Sequence, residues 1–150
     1  MAERPDGLTV RRLLEPGEQA AALDLRRRVF CEEQGVDPQA EVDGRDPDAI
    51  HLGAFEDGRL IGTLRLLAGR AAEEIHVQRV AVQLDRRRHG VGAALMCAAG
   101  ALARERGAAQ IVLHAQRTSE AFYVRLGYQA HGAPFLEEGI EHVAMERALH

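Results

Sequence analysis

Residues 86–95 read Arg-Arg-Arg-His-Gly-Val-Gly-Ala-Ala-Leu, a pattern suited to binding an anion. Gly90 and Gly92 stand where an alanine-rich helix would begin, and the first backbone N–H groups of a helix have no partners within it. The aligned peptide dipoles favour negative charge at that end, and glycine lets a ligand approach the backbone closely. The arginines just before the glycines could add charge-assisted hydrogen bonds, so the segment predicts a phosphate site.

Other nucleotide-binding motifs can be compared with this glycine segment residue by residue. A dinucleotide-binding fold requires a third glycine where Leu95 stands, and a strand and an acidic residue that are missing at the expected distance. A Walker P-loop requires a lysine, whereas all 19 basic residues of this chain are arginine. A flexible turn that merely leads into a helix remains open as an alternative to the phosphate site.

The elements that would position this site follow from the hydrophobic pattern. The pattern predicts strands over 8–14, 50–55, 60–67, 75–84 and 110–115, helices over 18–30, 91–107 and 119–126, and two weaker strands within 128–149. Asp57-Gly58, between the second and third strands, is a hairpin signal. This order predicts an α/β fold in one domain over residues 1–150, with a mixed sheet covered by helices.

The predicted strand at 75–84 changes its alternation partway along. Ile75 and Val77 lie on one face, whereas the apolar residues from Val80 onward lie on the other. Either both faces of the strand are buried, or a β-bulge near residues 78–79 shifts the phase. A bulge would leave backbone groups unpaired and available to a ligand.

Residues 32–48 form an acidic stretch that predicts a long loop. Its seven carboxylates accompany a single basic residue, Arg45, and belong to Glu32, Glu33, Asp37, Glu41, Asp43, Asp46 and Asp48. An ordinary solvated loop and a surface that attracts a cationic ligand are both compatible with this composition. The arginine run at 26–28 just before it predicts a solvated face near the end of a helix.

Two motifs resemble the GNAT superfamily of N-acetyltransferases. Residues 87–92, Arg-Arg-His-Gly-Val-Gly, are similar to the R/Q-x-x-G-x-G/A pyrophosphate loop of that family and follow a strand ending Arg-Val-Ala-Val. Residues 119–128, Ser-Glu-Ala-Phe-Tyr-Val-Arg-Leu-Gly-Tyr, resemble its F-Y-x-x-x-G-F/Y segment. Segments 28–36 and 41–51 resemble the ElaA-like branch, so the resemblance spans nearly the whole chain.

The resemblance implies a mostly antiparallel sheet of about seven strands that splays after a bulge in the strand at 75–84. It also implies acetyl-CoA as the donor, with its pyrophosphate on the backbone amides of residues 87–92 and its pantetheine arm paired beside 80–82. The implied cofactor-binding residues are Val80, Ala81, Val82, Arg87, Arg88, His89, Gly90, Val91, Gly92, Gln116, Ser119, Phe122 and Tyr123. Gln116 and Ser119 stand where many members have asparagine and alanine.

The implied reaction is acetyl transfer to a primary amine by direct attack in a ternary complex. Such an attack needs a deprotonated amine, a donor for the developing oxyanion and an acid for the departing thiolate. The resemblance assigns the oxyanion to a backbone N–H near Val82 and the acid to Tyr123, a side chain with an ordinary pKa of about 10. The alternative is a domain that binds acetyl-CoA as a sensor or interaction module without turnover.

The general base is not fixed by either motif. His76 and Glu74, at the start of the central strand, are the first candidates. Glu33, Asp43 and His51 are further candidates on the acceptor side, and a base acting through a water molecule is another.

Charge, cysteine use and histidine spacing limit the other functions. The net charge of −4 disfavours nucleic acid as a partner, and no apolar run approaches the ~20 residues that a membrane span needs. Cys31 and Cys97 are far apart and predict reduced core thiols in a cytoplasmic protein. The seven histidines lack metal-ligand spacing, so no metal is expected. The expected partner is a small-molecule amine or an exposed amino group, and an edge strand in the tail could support a homodimer.

Overall fold

A computed structural model describes residues 7–149, in which seven strands form one sheet. The strands are β1 (Leu8–Arg12), β2 (Ile50–Glu56), β3 (Arg59–Ala68), β4 (Glu74–Val82), β5 (Gln110–Gln116), β6 (Gln129–Glu137) and β7 (Ile140–Ala148). Their order is β1-β2-β3-β4-β5-β7-β6, and the pairing is antiparallel except between β4 and β5. The predicted mixed, mostly antiparallel sheet is confirmed.

The helices are α1 (Pro16–Arg26), α2 (Pro38–Glu41), α3 (Val91–Glu105) and α4 (Glu120–Arg125). A π-helical turn, Arg27–Glu33, continues α1, and 3₁₀ turns cover Asp46–Asp48, Leu84–Arg86 and Arg117–Ser119. The acidic stretch predicted as a loop therefore contains α2 and one 3₁₀ turn. Asp37 starts α2 because its carboxylate accepts a hydrogen bond from the Gln39 N–H at 2.9 Å, and Pro38 suits the first helical position.

Helix α3 lies against the sheet through its apolar face. A side chain at Gly62 on β3 would place its Cβ 2.9 Å from Val91 and 3.0 Å from Leu95, so glycine allows the helix to approach closely. Cys97 lies on the opposite, exposed face of α3, and Cys31 is partly exposed. The predicted core positions of both cysteines are therefore wrong.

Strand β4 contains a bulge, one of the two alternatives that its sequence pattern left open. Thr63 on β3 faces Ala81, whereas Arg65, two residues further, faces Gln78, so β4 carries one extra residue between these pairs. Arg79 takes up the extra residue with a φ of +57°, in the left-handed region. The bulge changes which face of β4 each side chain occupies, which explains the phase shift.

Beyond the bulge, β4 and β5 separate. They pair in parallel only from residues 74–77 of β4 to residues 110–113 of β5, although β5 continues to Gln116. Among the residues that the structure describes, no strand therefore lies beside the β4 edge over residues 78–82 on the β5 side. The predicted splay is confirmed.

A buried network of arginines and carboxylates joins the acidic segment to the sheet. Arg65 is only 1% exposed and bonds to Asp43 at 2.6 and 3.0 Å and to Asp46 at 2.8 Å. Arg26 is 2% exposed and bonds to Glu41 at 2.5 Å and to Asp46 at 2.8 Å. The hydrogen bond from Arg65 lowers the pKa of Asp43 well below its usual range, so this carboxylate stays ionised.

One expectation about these charges is wrong, and one of the two alternatives left open for the acidic stretch is disfavoured. Arg26 does not lie on a solvated helix face, because its guanidinium is enclosed between α1 and the acidic segment. The carboxylates of Glu41, Asp43 and Asp46 do not form a free anionic surface either, because arginines inside the fold neutralise them.

We expect Arg65→Met to lower the free energy of unfolding by about 3 kcal/mol, because Asp43 would lose its two bonds to a buried guanidinium while Asp46 would keep Arg26. Urea denaturation at pH 7 measures the change. The control is Arg27→Met, which removes an exposed pair with Asp24 and should change stability by less than about 1 kcal/mol. A loss below about 1 kcal/mol for Arg65→Met would show that the network contributes no more than a surface pair.

Candidate active site

The splay between β4 and β5 opens a cleft of about 980 Å³. Its walls come from β4, β5, the starts of α3 and α4, the β6–β7 hairpin and the π-helical turn. The arginines that line it near α3 and α4 are Arg86, Arg87, Arg88 and Arg125, and the lining carboxylates are Glu41, Asp43, Glu137 and Glu138. The cleft is thus cationic beside α3 and carries its carboxylates on other walls.

Helix α3 presents free backbone N–H groups to this cleft. Gly90 precedes the helix with a φ of +81°, and the first hydrogen bond of α3 runs from the Ala94 N–H to the Gly90 carbonyl at 3.0 Å. The N–H groups of residues 91–93 therefore have no partner within the helix, and all three residues line the cleft. This is a suitable geometry for binding an anion.

Gly92 brings the two sequence motifs into contact. A Cβ at position 92 would lie 3.1 Å from Cζ of Phe122, tighter than an ordinary contact. The ring of Phe122 in turn packs edge-to-face against Tyr123, with ring centroids 4.9 Å apart. Glycine at position 92 thus provides space for the aromatic ring as well as access to the helix backbone.

The three arginines before α3 have different roles in the structure. Arg87 donates to the Val82 carbonyl at 2.9 Å and pairs with Glu33 at 2.8 Å, so it links the end of β4 to the π-helical turn. Arg86 also lines the cleft and pairs with Glu56 of β2 at 2.7 Å. Arg88 has a φ of +66° and lines the cleft. His89 lies outside the lining residues, with its Nδ1 2.8 Å from the Arg87 carbonyl.

The open edge of β4 forms another wall of the cleft. Val80, Ala81 and Val82 line the cleft beyond the last β4–β5 pair. Gln116, at the end of β5, donates from its side-chain amide to Gln34 Oε1 at 2.8 Å, and Ser119 lies nearby in the lining. Sequence reasoning missed Gln34, since nothing in its local pattern links it to β5.

Tyr123 lines the cleft from α4 and is 7% exposed. It packs edge-to-face against Tyr128, with ring centroids 5.9 Å apart. Burial raises the pKa of Tyr123 well above the ordinary value assumed from sequence. The phenol therefore stays protonated throughout the physiological pH range.

The two first candidates for the base lie in different surroundings. His76 lines the cleft, and its buried Nε2 has no hydrogen-bond partner among the described residues. Burial lowers the pKa of His76 to about 4, so its ring is neutral near pH 7. Glu74 lies outside the cleft, where it accepts hydrogen bonds from the Arg70 N–H at 3.2 Å and from the Gln110 amide at 3.0 Å. The structure thus brings only His76 to the site.

The further candidates already have partners inside the fold. Asp43 lines the cleft but is bound by Arg65, and Glu33 is bound by Arg87. His51 is buried outside the cleft, with Nε2 2.9 Å from the Asp46 carbonyl. None of the three presents a free proton acceptor to the cleft.

A cluster of histidines around Glu137 was not anticipated from the sequence. His114 Nδ1 lies 3.0 Å from Glu137 Oε1, and His142 Nε2 lies 3.6 Å from Glu137 Oε2. The His114 ring also packs edge-to-face against His76 and Phe135, at 4.9 and 5.0 Å between centroids. The only sequence signal was a polar residue at position 114 within an apolar strand, because the other members come from β4, β6 and β7.

Within residues 7–149, no group of three or more histidine, cysteine, aspartate or glutamate side chains is arranged to hold a metal ion. No helix in this same part of the chain has the length and apolarity to cross a membrane.

Known proteins share this architecture. The model of the "Acetyltransferase (GNAT) domain" matches residues 15–149. The chain is similar to an acyl-CoA N-acyltransferase of Pseudomonas aeruginosa, with 35% identity, a TM-score of 0.80 and coverage of 94% of this chain and 98% of the other. The structure of Escherichia coli ElaA aligns with a TM-score of 0.83 and 26% identity, covering 93% of this chain and 99% of ElaA. A Bacillus subtilis protein named "Uncharacterized N-acetyltransferase YjcF" is 29% identical, covering 83% of this chain and 88% of YjcF.

A sheet splayed beside a helix that begins with free N–H groups defines an acyltransferase fold. The chain belongs to the GNAT family of acetyltransferases, as the family model shows over nearly its whole length. The resemblance seen in the sequence is thereby confirmed.

We expect His76 to reduce stability in acid. Its pKa is lower in the folded state than its unfolded value of about 6.5, so the unfolded chain binds the proton more tightly and stability falls as pH decreases from about 6.5 towards 4. Between pH 7 and pH 4.5, the wild type should lose about 2 kcal/mol more than His76→Gln. Urea denaturation at both pH values measures the difference, and the exposed His131→Gln should behave as the wild type. Equal losses in the wild type and His76→Gln would contradict the burial argument.

Proposed function

We propose that this chain transfers the acetyl group of acetyl-CoA to a primary amine by direct attack while both substrates are bound. The observation that carries the proposal is the cleft itself. The free N–H groups of α3 and the unpaired edge of β4 both line it. An elongated donor with a phosphate group and an amide-containing arm matches both features.

The residues present fit such a donor. The N–H groups of residues 91–93, with Arg88, would hold the pyrophosphate, and Arg87, whose guanidinium is bound by Val82 and Glu33, would add its charge nearby. The backbone of residues 80–82 would pair with the pantetheine arm as an added strand, because the splay leaves that edge open. Gln116, Ser119 and Phe122 line the same path. Acetyl-CoA supplies the activated thioester carbonyl.

The chain supplies electrostatic stabilisation and hydrogen bonds. A backbone N–H near Val82 would donate to the carbonyl oxygen as negative charge develops there. Tyr123 would donate a hydrogen bond to the departing sulfur. Its raised pKa lies above the ~8.5 of a simple thiol, so complete transfer of the phenol proton is disfavoured and the hydrogen bond is its main contribution.

The charge of the cleft favours a cationic acceptor. Glu41 and Asp43 are neutralised by arginines, whereas Glu137 and Glu138 on the β6–β7 hairpin contribute carboxylates that no arginine binds within the described residues. An alkylammonium group would be attracted to this wall. The acceptor class is therefore a small amine or an exposed amino group that carries a positive charge before reaction.

We expect Arg88→Met to weaken acetyl-CoA binding by about tenfold, because a charge-assisted contact to a phosphate would be lost. Isothermal titration calorimetry measures the dissociation constant. Arg104→Met, an exposed change in the last turn of the same helix, is the control and should bind as the wild type does. No binding by the wild type would contradict the proposed function, and equal affinity in Arg88→Met would contradict the placement of the phosphate.

We expect Tyr123→Phe to lower kcat by about 10- to 100-fold while acetyl-CoA affinity stays within twofold, since one hydrogen bond to an anionic leaving group is lost. Free-thiol release with a panel of primary amines measures kcat. Tyr128→Phe, a buried neighbour outside the cleft lining, is the matched control. An unchanged kcat in Tyr123→Phe would remove Tyr123 from the mechanism. If no amine supports turnover by the wild type, the chain binds acetyl-CoA without transferring the acetyl group.

A further inference from the structure

We infer that His114, oriented by Glu137, is the general base that takes the proton from the acceptor amine. This inference rests on the proposed acetyl transfer and assigns the one role that the sequence motifs leave open. It replaces His76 and Glu74 as candidates.

His114 and Tyr123 reach the cleft from opposite faces of the sheet. Leu113 and Ala115 are buried in the same cluster as Tyr123 and α3. Alternate residues of a strand point to opposite faces, so His114 projects from the other face of β5, where its side chain is 40% exposed and lines the cleft. The leaving-group donor and the proposed base thus approach the cleft from opposite sides of the sheet.

Glu137 fixes the tautomer of His114. A carboxylate can only accept, so the 3.0 Å contact requires the proton of neutral His114 to lie on Nδ1 and leaves the lone pair on Nε2. The pKa of Glu137 is lowered chiefly by this hydrogen bond, although burial opposes it, so Glu137 remains ionised. An imidazole held by a carboxylate in this way is oriented to accept a proton at Nε2.

His142 leaves Glu137 available to His114. The Nδ1–H of His142 donates to the Ile140 carbonyl at 2.7 Å, and its Nε2 lies 3.6 Å from Glu137 Oε2, beyond hydrogen-bond distance. Glu137 therefore accepts a hydrogen bond from His114 and none from His142.

His76 is a poorer proton acceptor than its place in the cleft suggests. Protonation at its buried Nε2 would create a charge without a hydrogen-bond partner. Its ring instead packs edge-to-face with the His114 ring, with centroids 4.9 Å apart. The groups that face this cluster are His76 from β4, Glu137 from β6 and His142 from β7, with the charges of Glu74, Arg45 and Arg79 acting from further away.

The proton balance of the step is complete. His114 Nε2 takes one proton from the ammonium group, and the freed lone pair forms the C–N bond as the C–S bond breaks. The second proton of the nitrogen passes to the departing sulfur, which Tyr123 hydrogen-bonds, so the products are an amide, a thiol and one proton on His114. Because His114 is partly exposed, that proton can return to solvent.

The test compares His114→Gln with His131→Gln, whose exposed ring lies 3.9 Å from Glu146 elsewhere on the same sheet. At pH 7, kcat/KM of His114→Gln should fall by about 10²- to 10⁴-fold with unchanged acetyl-CoA affinity, and His131→Gln should match the wild type. The difference in kcat/KM between His114→Gln and the wild type should shrink as the pH approaches about 10, where an alkyl amine loses its own proton. A purely structural role would leave a deficit that does not depend on pH, and this result would overturn the inference.

A second measurement needs no substrate. Long-range ¹H–¹⁵N NMR spectra of the protein alone should show neutral His114 with its proton on Nδ1, and Glu137→Ala should shift the population towards the Nε2–H form. An Nε2–H tautomer in the wild type would overturn the inference. If the wild type turns over and the kcat/KM of His114→Gln lies within threefold of the wild-type value, the inference is overturned and the proposed function stands. If the wild type shows no turnover with any amine, both are overturned.

Discussion

The buried guanidinium of Arg65 is the constraint on which the acceptor half of the cleft depends. A charge removed from water must be paired, so Asp43 and Asp46 are drawn onto the sheet and the acidic segment is held over β3 and β4. Arg65 also bonds to the Gln78 side chain at 2.6 Å, immediately before the bulge. One side chain thus joins the segment that walls the cleft to the strand that opens it.

The bulge in β4 opens the cleft beside this network. Arg79 holds the extra residue of β4 in the left-handed region, and its guanidinium donates to the Glu41 carbonyl at 3.2 Å, so the acidic segment also contacts the bulge. Where β4 turns away from β5, its backbone edge becomes available beside the start of α3. Tyr123 and His114 then line the cleft from opposite faces of the sheet.

The sequence was informative where the signal is local. Hydrophobic periodicity predicted the strands and the three main helices, the phase change in β4 indicated the bulge, and the glycines indicated the start of α3. Contacts between distant segments were not predictable in this way: the burial of Arg26 depends on Glu41 and Asp46 folding back over it. The His114–Glu137 pair depends on β7 lying between β5 and β6, an order that adjacency along the chain does not reveal.

The contact between Gly92 and Phe122 limits how this protein can change over evolutionary time. A methyl group at position 92 would require the Phe122 ring to shift by a few tenths of an ångström, and a longer side chain would require more room. The side chains at the two positions are therefore coupled by packing, although one lies in the first turn of α3 and the other lies in α4. Correlated replacement at 92 and 122 would be the trace that this packing leaves among the descendants of a common ancestor.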